Sequence, residues 1–272
     1  MRRSRLFLVA LVAVPATAHA AEAVTWHPLD PAATLVVDTS KGRIIVEMRP
    51  ELAPRAVERV TLLAREHVYD GLLFHRVIDH FVDQTGNPNN KDGGTSSHPD
   101  LAPEFTFRLK PGSYAPVSAG SDGITGFVGG LPIAGEAAAV IARQPDERFR
   151  AWGAYCAGVV GMGRQEAPGS ANSEIFFMRD PARRLDHDYT VIGRVVVGLD
   201  VVRAIAVGEP PTAPDRMAAV RLLADIVETE RPHYERMDEH APEFAAEIAR
   251  MRAAKGADFS ICDVEVPVRK AR

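Results

Sequence analysis

Apolar and polar positions alternate twice early in the chain, at Leu35/Val37 and at Ile44/Val46/Met48, on either side of Ser40-Lys41-Gly42. That period of two with a glycine between the runs predicts a β-hairpin. The pattern then changes. In APRAVERVTLLAREH, Val57, Val60 and Ala64 recur at helical spacing behind Pro54, which suits a first helical position. LLFHRVI (72–78) reads as a strand, Asp79-His80 as a tight link, and the run from Phe81 as a second strand. FTFRLK (105–110), CAGVVGM, IFFM and YTVIGRVV read as further strands, and LDVVRAIAVG as a short helix stopped by Gly208. MAAVRLLADI is a strand or a mixed segment.

Two regions break this rhythm. Residues 113–152 are rich in Gly, Ala and Pro and show no period, which predicts a long inserted loop with one short helical turn. Residues 21–33 read as an Ala- and Pro-rich linker. In the tail, 228–272, Pro242 opens an amphipathic helix with Phe244, Ile248 and Met251 on one face and Gly256 closing it. FSICDVEVPV then reads as an edge strand, and the helix is expected to dock on the main body, since it is too short to stand alone.

Composition narrows the class. A 46% hydrophobic fraction supports a full core, and a net charge of −4 argues against a nucleic-acid partner. Arg2, Arg3 and Arg5, the apolar run Leu6 to Val14, and Ala18-His19-Ala20 make residues 1–20 a secretory signal peptide. The expected protein is therefore exported and periplasmic, with no membrane span in the mature chain. The only cysteines, Cys156 and Cys262, leave both a bridge and two buried thiols open.

One residue stands out chemically. Arg76 lies in the most apolar strand of the chain, with no Asp or Glu between Leu72 and Ile78. A guanidinium keeps its charge and five donors, so it needs either a distant carboxylate or a groove with a ligand. His75, His80, Asp79 and Asp83 nearby suggest a metal site, but extended strands turn such residues to different faces and no matching ligand cluster follows in the sequence. No metal and no cofactor are expected. A hydrolase is disfavoured, because no Gly-x-Ser-x-Gly elbow is present.

FHRVIDHFVDQTGNP (74–88) resembles the signature of the cyclophilins, and GVVGMGR, SANSEIFFM, and RRLDHDYTVIGRV followed by GLDVVRAI fit the same family in order. The resemblance spans 34–227, with 113–152 as an insertion and 228–272 as an extension. It implies a mainly β fold, a closed eight-stranded antiparallel barrel with two capping helices. It also implies a peptidyl-prolyl cis–trans isomerase acting on X–Pro bonds of polypeptide clients; a monomer is expected. By position, Arg76 matches the catalytic arginine and Gln84 the glutamine that contacts the substrate backbone. Phe81, Val82, Phe176 and Leu185 match the proline pocket. Met162, Gly163 and Arg164 match a backbone-binding edge.

Departures from the pattern are equally specific. Glu174 stands where the family has glutamine, Tyr189 replaces the groove histidine, Arg184 replaces a tryptophan, and Thr85 replaces a glycine. Glu174 has Arg76 or Arg164 as prospective ion-pair partners. These substitutions motivate a rival expectation, a peptide-binding or chaperone module with little turnover.

Overall fold

The computed structural model describes residues 25–144 and 148–271. The proposed signal peptide lies outside the described residues. In chain order the elements are β1 (Trp26–Pro28), β2 (Thr34–Thr39), β3 (Gly42–Met48), α1 (Pro54–Arg65), β4 (Arg76–Ile78) and β5 (Val82–Thr85). Next come β6 (Phe107–Leu109), β7 (Ala115–Gly120), β8 (Gly123–Val128), β9 (Leu131–Gly135), α2 (Ala138–Ile141) and β10 (Phe149–Gly153). The chain continues through β11 (Val159–Met162), β12 (Ile175–Met178), β13 (Val191–Val197), α3 (Leu199–Ala204) and β14 (Met217–Leu222). It ends with β15 (Tyr234–Met237), α4 (Pro242–Lys255) and β16 (Val268–Lys270).

Eight strands form one antiparallel sheet in the order β14-β2-β3-β13-β11-β12-β5-β4. Its concave side holds a core that includes Val37, Val46, Phe74, Val160 and Phe177, closed by Val57, Val60 and Leu63 of α1 and Val202 of α3. The sheet is a curled, open half-barrel, which corrects the expected closed barrel. Strand β4 is only three residues long, and the chain before it leaves strand geometry at Gly71 (φ 80). Only isolated bridges tie that end of the sheet to the neighbouring chain: Leu73, ahead of β4, to Arg216, ahead of β14, and Val77 of β4 to Gly208 in the segment after α3.

The expected loop at 113–152 instead supplies strands β7 to β10, which join the expected strand β6 in a second sheet. Five antiparallel strands run in the order β6-β10-β9-β8-β7, with α2 as the one helical turn. Two physical facts hid it. Strand β9 is buried at all five positions, so it shows no alternation. Some of the sheet's glycines are also packing positions rather than breaks: a Cβ on Gly126 would lie 2.4 Å from the Ala115 carbonyl and 2.6 Å from the Tyr114 ring.

The expected linker also carries structure. Strand β1 pairs with β15, and β15 with β16, joining the start of the described chain to its tail in a three-stranded sheet. The expected helix is present as α4, and it buries Phe244 and Ile248, with Met251 half-buried. The reading of 259–268 as a strand is wrong: this stretch holds one 3-10 turn at Ile261–Asp263, fixed by a capping box between Ser260 and Asp263, and is otherwise irregular until Val268–Lys270 pairs. The tail docks on the second sheet as well as the first. Phe244 meets the Phe127 ring edge-on at 5.3 Å, Arg252 donates to the Val117 carbonyl at 2.6 Å, and Cys262 is disulfide-bonded to Cys156.

Candidate active site

Strand register builds the site. Arg76 on β4 sits directly across from Gln84 on β5, Gln84 across from Phe176 on β12, and Phe176 across from Gly161 on β11. One row across four strands thus carries a cation, an amide, an aromatic ring and a gap. The gap is required: a Cβ on Gly161 would lie 2.5 Å from the Phe176 ring and 2.7 Å from the Tyr155 hydroxyl. The link between β4 and β5 is tight, with His80 at φ 54 and the Phe81 amide donating to the Ile78 carbonyl at 3.1 Å. It brings Phe81 up beside Val82 at the end of the row.

These residues line one small cavity. Arg76, Phe81, Val82, Gln84, Phe176, Leu185 and Tyr189 enclose about 70 Å³. Phe176 is held by Tyr155, stacked at 5.7 Å, and by Tyr189, edge-on at 5.6 Å. The Arg184 guanidinium covers the Phe81 ring at 4.3 Å. Burial pushes the Tyr155 phenol well above its ordinary pKa, so it stays a neutral part of the wall.

The polar rim is a chain of donors and acceptors with one allowed sense. Arg76 donates through Nη1 to Gln84 Oε1, and Gln84 Nε2 donates to Glu174 Oε1 at 2.8 Å. A guanidinium can only donate and an ionised carboxylate can only accept, so the Gln84 amide is held with its oxygen toward Arg76. Arg76 Nε also donates to Glu209 Oε2 at 2.8 Å. The arginine therefore has both of the things treated as alternatives in the sequence, a distant carboxylate and a groove. Glu174 pairs with neither Arg76 nor Arg164. Its second oxygen accepts from Asn87 Nδ2 at 2.5 Å.

A wider groove of about 350 Å³ continues past the pocket, lined by Arg76, Gln84, Asp92, Arg164, Gln165, Glu166, Glu174 and Tyr189. Arg164 is tied to the backbone, donating to the carbonyls of Asp188, Gln165 and Glu166, and it lies over the Tyr189 ring at 4.7 Å. Met162 is placed differently from the others. Its side chain is buried in the main core and its amide donates to the Thr190 carbonyl, so only backbone could meet a ligand there. Gly163 donates its amide to the Glu174 carbonyl, and a Cβ on it would lie 2.1 Å from Glu174 Oε1. It keeps that carboxylate in place rather than lining either cavity.

Two rim residues escaped the sequence reading. Glu209 is 133 residues from Arg76, and Asp92 is 82 residues from Glu174, so nothing in local pattern marks either. On the opposite face of β5, Asp83 is fully buried against Arg179 Nη1 at 2.9 Å. Burial lifts the Asp83 carboxyl to about 7, with Arg179 pulling the other way. Arg179 also donates to the carbonyls of Val202, Arg203 and Ile205 at the C-terminal end of α3.

The fold and this pocket together define a prolyl-isomerase class of protein, and comparison bears on the family directly. Residues 34–222 match the family model "Cyclophilin type peptidyl-prolyl cis-trans isomerase/CLD". The chain is 30% identical over 212 residues to a probable peptidyl-prolyl cis-trans isomerase of Brucella suis, covering 72% of this chain and 85% of that protein. It is 29% identical over 172 residues to the isomerase ppi1 of Schizosaccharomyces pombe, covering 63% and 83%. Among solved structures, cyclophilin AquaCyp293 from Hirschia baltica superposes with a TM-score of 0.82 at 32% identity, covering 90% of this chain and 92% of that one. The chain belongs to the cyclophilin-type peptidyl-prolyl cis–trans isomerase family.

Proposed function

We propose that this isomerase acts on X–Pro bonds of exported polypeptides in the periplasm, assisting their folding, as a monomer without metal or cofactor in the catalytic step. The observation that carries the reading is the single row in which Arg76 and Gln84 border a small open pocket walled by apolar side chains.

The chemistry follows from the amide. An X–Pro bond is stiff because nitrogen donates its lone pair into the carbonyl, and uncatalysed rotation takes about tens to hundreds of seconds. At the twisted transition state that lone pair returns to nitrogen and becomes an acceptor. A donor aimed at it favours the twisted form over the planar one. Arg76 fits the role, since Glu209 and Gln84 occupy Nε and one Nη1 hydrogen and leave Nη2 for the substrate. Phe81, Val82, Phe176 and Leu185 hold the ring while the preceding carbonyl swings, and exclusion of water strengthens the arginine's bond. Gln84, itself fixed at both ends, steadies the peptide backbone.

A hydrogen bond to a charged group contributes about 1.5–3 kcal/mol, or roughly ten- to a hundredfold in rate. Arg76→Ala should lower kcat/KM for a short X–Pro peptide by that factor while peptide binding changes less. Full activity in the mutant would remove Arg76 from the mechanism. No acceleration by folded wild-type protein would instead identify a peptide-binding module. Recovery of a chain lacking residues 1–20 from the periplasm is the expected result for export, and retention of the intact chain inside the cell would count against it.

A further inference from the structure

We propose that His75, Asp92 and Glu174 form a binding site for a divalent cation of the zinc type, on the rim of the groove and distinct from the proline pocket. One ligand atom from each of the three lies within 4.8 Å of the others. His75 Nε2 is 3.2 Å from Asp92 Oδ1 and 3.6 Å from Glu174 Oε2. Two ligands each held at ~2.1 Å from a tetrahedral metal are separated by roughly 3.4 Å, which those two distances bracket. The third ligand is adjustable, since Asp92 is exposed on its loop while His75 and Glu174 are buried.

The groups are better matched to a cation than to one another. A neutral imidazole has one proton, which Nε2 can give to Asp92, leaving Glu174 beyond hydrogen-bond distance. With Nε2 on the ion the ring proton sits on Nδ1, which is buried without a partner among the described residues and so works against the ion. Two carboxylates gathered around one imidazole offer the kind of charge that a divalent ion balances. Outer contacts are in place as well: Asn87 Nδ2 bonds Glu174 Oε2, and Gln84 Nε2 bonds the other oxygen. Asp92 borders a cavity on each side, about 260 Å³ and about 350 Å³, so water can reach the remaining coordination positions. Lys91 and Arg76 line the first of these and work against the ion.

The sequence could not show this cluster. His75 precedes β4, Asp92 follows β5 and Glu174 precedes β12, and only the pairing of β4, β5 and β12 gathers them.

Isothermal titration of the full protein with ZnCl₂ tests the site, beside Asp92→Asn and His75→Gln. The expected result is one zinc per chain, with affinity reduced at least tenfold in both variants. Asp92→Asn keeps the test interpretable should the buried His75 substitution unfold the protein. Absence of a stoichiometric site in the wild type would overturn the proposal. So would a site of unchanged affinity in Asp92→Asn, which would place the ion on surface histidines such as His80 or His98.

Discussion

The eight-stranded sheet and the inserted five-stranded sheet solve the same problem with different resources. The first buries its own strands against α1 and α3, and its core is nearly all Val, Ile, Leu, Met and Phe from those elements. The second cannot close its core alone. Phe127, Phe149 and Ile133 are completed by Phe244, Ile248, Ile261, Val264 and Val266 from the tail, and the Cys156–Cys262 bond fastens the two together. Val82, Phe176 and Met178 belong to this second cluster, with Phe81, Leu185 and Tyr189 packed against it. The proline pocket therefore rests on the dependent core, while Arg76 is set by the independent one. An autonomous core tolerates loss of a neighbour, and a shared one does not.

The sharpest way to break this contrast is Phe244→Ala. The ring is 1% exposed, and its removal should cost about 3–5 kcal/mol. The insertion and tail should melt early while the first sheet keeps its hydrogen-exchange protection. Uniform loss of protection would show that the two cores form one cooperative unit. Next in size is the disulfide, which joins residues 106 apart in sequence. Cys156→Ser with Cys262→Ser should lower stability by about 2–4 kcal/mol and raise KM more than it lowers kcat, since the apolar wall loosens and Arg76 does not. An unchanged KM would separate the pocket from the second core.

A third test lies on the first sheet and is read as a slope. The folded state holds the Asp83 proton up to about pH 7, whereas the unfolded chain releases it near the ordinary carboxylate value of 3.8. Between those values the native state binds more protons, so this residue's contribution to stability falls as pH rises and levels off above pH 7. Chemical denaturation across pH 4–8 should show that decline flattened in Asp83→Asn. A decline of equal steepness in the variant would assign it to other groups.

The same contrast explains what the sequence disclosed. Hairpin β2–β3 and helix α1 were legible from the spacing of their apolar residues, whereas the row from Arg76 to Phe176 was legible through the motifs that resemble the family. Each pocket residue expected from the motif lies at the cavity apart from Met162, Gly163, Arg164 and Glu174, of which Arg164 and Glu174 line the adjoining groove. The second sheet was not legible. A fully buried strand such as β9 has no polar face to alternate with, and glycines that let strands approach look the same on paper as glycines that turn a loop. Glu209 and Asp92 were hidden for another reason, since their partners lie on distant segments and an ion pair leaves no periodic trace.

Strand β5 is shared between two tasks, one on each face. Val82 and Gln84 look into the pocket, while Asp83 holds Arg179 against the end of α3. A single residue added to the Asp79-His80 link would move β5 by one step and exchange those faces. The groove would receive Asp83 and Thr85, a carboxylate would face Arg76, and α3 would lose its anchor in the same event. The spacing of that short turn is therefore inherited as one indivisible unit. Drift in this protein can replace side chains around the groove one at a time, but it cannot change the length of that turn and keep either the site or the helix.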